Sequence, residues 1–108
     1  MNEGQEGRKK QFDAADYPAL REFLPAYLHQ DFGAEYGTAR EAVKGFVNEA
    51  SGDEILQVKE EWKTLRASFS GRPLEEMRAA LAAFGCAWRP ASEEELRGVD
   101  VVLSGAQT

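Results

Sequence analysis

Residues 51–71 read SGDEILQVKEEWKTLRASFSG, and this stretch decides the fold. Ser51 and Glu54 form a capping-box pair, in which the hydroxyl oxygen accepts from the backbone three residues on and the carboxylate reaches back to the cap. Ile55, Val58, Trp62, Leu65 and Phe69 then recur in steps of three and four. That period puts five apolar side chains on one face of an α-helix. Ser70-Gly71 stops the helix.

Toward the N-terminus the same reasoning gives two more helices. Asp16 is placed to cap the first and Pro18 sits just inside its start, where a missing N–H costs nothing. Leu20, Phe23, Leu24, Tyr27 and Leu28 make its apolar face. Pro25 interrupts that face and predicts a kink or a break. The helix is expected to end near Gln30, with a turn from Asp31-Phe32-Gly33 to Gly37. Thr38 and Glu41 repeat the capping-box pattern. Ala39, Ala42, Val43, Phe46, Val47 and Ala50 form the next stripe, with Gly45 beside it as a place for another helix to come close. Gly52 suggests a sharp turn, so the helices on either side of it are expected to be antiparallel neighbours.

Toward the C-terminus, Pro73 opens a helix with Leu74, Met77, Leu81 and Phe84 as its stripe, and Gly85 closes it. Pro90 holds Arg89 out of helical space, so residues 86–90 read as extended. Ser92 and Glu95 offer a third capping box for a short fifth helix. Leu96, Val99, Val102 and Leu103 can finish that helix, or residues 99–103 can form a short strand; helix is the preferred reading. The expected fold is all-α: a compact bundle of four to five helices with a short irregular C-terminal appendage, spanning residues 16–104. Residues 1–15 and 105–108 are polar and read as a flexible arm and tail.

Composition narrows the function. The chain has 108 residues and a formal charge of -6, and residues 1–16 nearly cancel, so the excess belongs to the folded part. Such a surface repels phosphate backbones and anionic lipid, which argues against direct binding of nucleic acid or membrane, and it suits a basic partner. One cysteine, Cys86, excludes an internal disulfide. Without a signal-peptide pattern or an apolar run of membrane length, the expected location is the cytoplasm.

Candidate chemistry is sparse. His29 with Asp31 and Glu35 could bind a metal or make an acid–base pair. The preferred reading is structural, with His29 at a helix C-terminus and Gln30 and Asp31 satisfying the turn. Cys86 with His29 could make a thiol nucleophile, but a cysteine after a helix C-terminus between Phe84 and Trp88 reads as buried and inert. Trp62 fits the core stripe, whereas Trp88 could equally be core or an exposed anchor for a partner. Glu60, Glu61, Glu75, Glu76, Glu93 and Glu94 are candidate contact carboxylates. Most also have local explanations, such as Glu60 beside Lys63, Glu75 beside Arg78, and favourable helix starts. No phosphate loop, paired-cysteine zinc pattern or nucleophile elbow occurs. No cofactor, metal or catalytic residue is expected.

The stretch Tyr17 to Leu24 followed by Tyr27-Leu28-His29-Gln30-Asp31-Phe32 resembles the opening of a family of contact-dependent growth inhibition immunity proteins. In that family an aromatic-rich helix ends in a His-Gln-Asp-aromatic signature. A Tyr-Gly turn and a Glu-Ala-Val helix follow, here Tyr36-Gly37 and Glu41-Ala42-Val43 with Phe46 beyond. Gly85-Cys86, closing a helix before an aromatic, is also similar. The likeness covers residues 16–90; Phe32 stands where tryptophan is common. It implies a cytoplasmic protein that binds the toxin domain delivered by a neighbouring cell, often a nuclease with a basic cleft, and blocks it sterically and electrostatically. It also implies that His29, Gln30, Asp31, Phe32, Tyr36 and Gly37 determine the fold rather than contact the toxin. Two other readings stand beside it: a helical adaptor with another protein partner, and a small enzyme built on His29.

Overall fold

The computed structural model describes residues 12–105, and they form six α-helices. After a short 3-10 turn at Ala14–Asp16 come α1 (Pro18–Tyr27), α2 (Phe32–Tyr36), α3 (Ala39–Glu49), α4 (Gly52–Ser68), α5 (Leu74–Ala83) and α6 (Glu93–Ser104). Among the described residues there is no strand. The all-α expectation holds, and the helix count is higher than the four to five expected.

The extra helix is α2. The sequence Asp31-Phe32-Gly33 reads as the start of a turn, yet Ala34 and Glu35 both donate to the Asp31 carbonyl and the Gly37 N–H closes onto Gly33. Gly37 then takes a left-handed φ of 90°, which ends the helix. At the C-terminus the preferred helical reading holds, and the expected irregular appendage is revised. Residues 93–104 are one regular helix rather than an irregular appendage. Leu96, Val99 and Leu103 on it are almost completely buried. α6 packs along α3 and α4, and so closes the core.

The α4 stripe behaves as its period requires: Val58, Trp62, Leu65 and Phe69 are buried and Ile55 packs at the core's edge. Both halves of its capping box form, with the Glu54 N–H donating to Ser51 Oγ (3.2 Å) and the Ser51 N–H to Glu54 Oε1 (3.1 Å). The expected antiparallel pairing of α3 with α4 does not occur as a close packing. Ala50 and Ser51 are both extended (ψ 161°), so the link carries the chain away from α3. α4 packs on α1 and α6 instead.

α1 departs from expectation at both ends. It runs through Pro25 and stops two residues later at Tyr27, short of Gln30. Pro25 therefore falls in the last turn, where little helix remains to be disrupted. Asp16 does not cap α1. It lies in the 3-10 turn, whose cap is Asp13, and the α1 N-cap is Tyr17, which makes no side-chain cap bond. The capping oxygen comes from another helix: Glu61 Oε1 on α4 accepts the Leu20 N–H at 3.0 Å. Glu61→Ala is expected to lower stability by about 1 kcal/mol, the usual cost of a lost N-cap. Glu61→Gln, which keeps an acceptor oxygen, is expected to lose less. Urea denaturation of the two variants measures the difference.

Residues 12–15 belong to the arm expected from the sequence, but Phe12 packs its ring against Tyr17, Phe69 and Phe84 at 5.5–5.9 Å. The packed part of the chain thus begins before residue 16. The rest of the proposed arm and most of the tail, residues 1–11 and 106–108, lie outside the described residues. No helix among those described is long and apolar enough to cross a membrane.

Candidate functional site

His29 is the first residue to place. Its Nδ1 accepts the Asp31 N–H at 3.0 Å, and its Nε2 lies 3.3 Å from Glu35 Oε1. The acceptor role at Nδ1 puts the ring proton on Nε2, directed at Glu35. Both nitrogens are thus used in the link between α1 and α2, and His29 does not cap the α1 carbonyls as expected. Asp31 takes part through its backbone and, as the α2 N-cap, makes no side-chain cap bond.

The signature residues beyond His29 sit on α2 and its ends. Gln30 and Asp31 are exposed, and Phe32 packs at the core's edge. The Tyr36 ring comes close to α3 at Gly45. A Cβ on Gly45 would stand 2.8 Å from Tyr36 Cε1. The close approach that Gly45 permits is therefore by an aromatic ring of α2, not by a long helix. Cys86 is buried, with its thiol near the Leu81 and Trp88 carbonyls (3.6 and 3.9 Å). Burial pushes its pKa up, outweighing the Trp88 hydrogen bond and the charge of Arg89. Among the described residues no three His, Cys, Asp or Glu side chains gather to hold a metal ion.

The aromatic and acidic candidates separate. Trp88 is only 4% exposed. It stacks on Trp62 (centroids 6.5 Å apart) and donates its indole N–H to Glu95 at 3.2 Å. It is a core residue, not an exposed anchor. That bond also explains why the third capping box is absent: Glu95 faces Trp88, and Ser92 makes no side-chain cap bond. Glu61 is committed to α1. Glu76 pairs with Arg72 at 2.7 Å and Glu93 with Arg66 at 2.7 Å. Arg78 donates to the Pro90 carbonyl rather than pairing with Glu75. Glu60, Glu75 and Glu94 are exposed and make no ion pair with a described residue.

The most coherent surface for a partner lies elsewhere. A groove of about 600 Å³ runs between α1, α3 and the start of α4. Its floor is aromatic: Phe23, Tyr27 and Phe46 contact one another with centroids 4.5–5.6 Å apart. Its only charged lining residues are Glu22, Glu49 and Glu54, one from each helix. Phe23 and Phe46 are buried beneath the groove and Tyr27 is half-buried at its base, so what the groove offers an arginine or lysine side chain is chiefly its ring of carboxylates, with no cation among the lining residues. Local sequence rules did not single out Glu22 or Glu49, and read Glu54 as a cap alone. The available signal was that Glu22 and Glu49 each flank an apolar stripe, beside Phe23 and one turn beyond Phe46.

Tyr27 ties this groove together by donating its hydroxyl proton to Glu49 Oε1 at 2.9 Å. Burial, then the Glu49 hydrogen bond and charge, push its pKa up to about 12. The folded chain holds that proton more tightly than the unfolded chain, whose tyrosines titrate near 10. The resulting stabilisation is complete below pH 10 and disappears as pH rises through 12. Absorbance titration is expected to show one tyrosine ionising near pH 12, and Tyr27→Phe to remove that step.

No curated protein and no solved structure matches the chain. The family model described as CdiI immunity protein matches residues 16–97, from the 3-10 turn into α6. Most of the six-helix fold lies within that match, and the chain belongs to the CdiI immunity protein family.

Proposed function

We propose that this chain neutralises a cognate contact-dependent growth inhibition toxin by binding its toxin domain, and that it performs no reaction of its own. The observation that carries the reading is the α1/α3/α4 groove, where three carboxylates surround an aromatic floor without a single compensating cation. That groove receives basic side chains of the toxin. Exposed Glu60, Glu75 and Glu94 add to the acidic surface that a basic toxin meets as it approaches. A toxin of nuclease type fits this chemistry, because a surface that handles phosphate backbones is basic. Bound there, the immunity protein excludes the substrate by bulk and by charge. Delivered toxin is met in the cytoplasm.

The test uses the toxin domain encoded beside this chain. The pair is expected to co-purify at one-to-one stoichiometry, and co-expression is expected to protect cells. Glu22→Lys with Glu49→Lys is expected to weaken the complex at least a hundredfold, since like charges brought together at an interface cost several kcal/mol. A parent chain that neither binds nor protects sinks the proposal. An undiminished affinity in the double variant moves the contact away from the groove.

A further inference from the structure

The described residues contain ten lysines and arginines, and five of them line a single cleft: Lys59, Lys63, Arg66, Arg72 and Arg97. Only two carboxylates, Glu93 and Asp100, line it with them. Elsewhere on the described chain fifteen carboxylates face five cations. Half of the described cations of an acidic protein are thus gathered in one place. The cleft measures about 710 Å³ and lies between α4, α6 and the turn after α4.

Not all five cations are free. Arg66 is held by Asp100 (2.9 Å) and Glu93 (2.7 Å). Arg72 pairs with Glu76 and lies 4.7 Å over the Phe69 ring. Lys59, Lys63 and Arg97 make no ion pair or side-chain hydrogen bond with any described residue. Lys59, Lys63 and Arg66 follow one another by four and three residues, so they form a row along one face of α4 about 10 Å long. A row of that length matches a few residues of extended chain better than a single small anion. Buried Trp62, Phe69 and Leu103 underlie the cleft. A long nucleic acid would bring its phosphates against the surrounding carboxylates.

We propose that this cleft binds a short acidic segment of a protein partner, rich in aspartate or glutamate. The site is opposite in sign to the α1/α3/α4 groove, and its existence does not depend on the partner being a toxin.

The probe is a hexaglutamate peptide, titrated into the labelled full chain at low salt while the Trp62 indole N–H signal is followed by NMR. The expected result is saturable binding that weakens with added salt. Lys59→Glu with Lys63→Glu is expected to lower the affinity at least tenfold. Circular dichroism checks that each variant is folded, with Lys63→Gln as the milder substitute if the double variant is not. Equal binding by parent and cleft variant overturns the proposal. So does tighter binding of a single-stranded hexanucleotide or of inorganic phosphate than of the peptide. No toxin enters this experiment, so its failure is separate from failure of the toxin reading.

Discussion

A chain stopped at Ser92, lacking residues 93–108, is expected not to fold cooperatively. The loss removes Leu96, Val99 and Leu103, each 1% exposed, from the core. At roughly 1.5–3 kcal/mol for each fully buried aliphatic side chain, these three alone account for about 5–9 kcal/mol. That is comparable with the whole stability of an ordinary domain, about 5–15 kcal/mol. The truncation also uncovers α3 and α4, the two helices along which α6 lies, and takes Asp100 from Trp62 and Arg66. Thermal melting followed by circular dichroism should show no sigmoidal transition. A chain stopped after Ser104 is expected to melt like the parent. A cooperative transition in the shorter chain would mean that α1–α5 form a sufficient core and that α6 is peripheral after all.

Asp100→Ala is the single substitution expected to cost most among the polar residues, about 2–3 kcal/mol. Asp100 accepts the Trp62 indole N–H at 2.7 Å and the Arg66 Nε and Nη2 donors at 2.9 Å each. Trp62 is 3% exposed, and Asp100 is the hydrogen-bond partner of its indole N–H. A buried donor left without a partner costs about 1–3 kcal/mol. Arg66, whose pKa is raised chiefly by the Asp100 hydrogen bond, would be left with Glu93 alone. Its side chain keeps some contact with solvent, so its share is discounted relative to a fully buried pair. Asp100→Asn retains an acceptor for the indole but not the charge, and is expected to lose about half as much. Arg66→Met added to Asp100→Ala is expected to restore part of the loss, because the orphaned cation is removed as well. Urea denaturation of the parent, Asp100→Ala, Arg66→Met and the double variant completes the cycle.

The helices were legible in the sequence because period and capping are local. The α4 stripe and the Ser51–Glu54 box could be read directly, and both are present. Ser92 and Glu95 carry the same pattern and do not make the box, because Trp88, seven residues before Glu95, claims its carboxylate. Glu61 caps a helix 41 residues away, and Asp100 reaches back to Trp62 across 38. No rule of spacing connects such residues. The Asp31–Gly37 segment carries two turn signals, Gly33 and Gly37, of which only Gly37 takes a positive φ, so the helix between them is hidden in the sequence. The immunity-family membership was readable from the His29–Phe32 signature and the Tyr36-Gly37 turn. The acidic groove was not, since Glu22, Glu49 and Glu54 become neighbours only when three helices come together. The basic cleft was hidden for the same reason, beneath a formal charge that describes the chain as uniformly acidic.

That segregation of charge gives the described residues an electric dipole as well as a net negative charge. In the field of an approaching macromolecule the protein experiences a torque before any atoms touch, and it arrives already turned. Diffusional encounters that would otherwise be wasted in wrong orientations become productive, so association is accelerated more than final affinity. Raising the ionic strength shortens the distance over which that alignment acts.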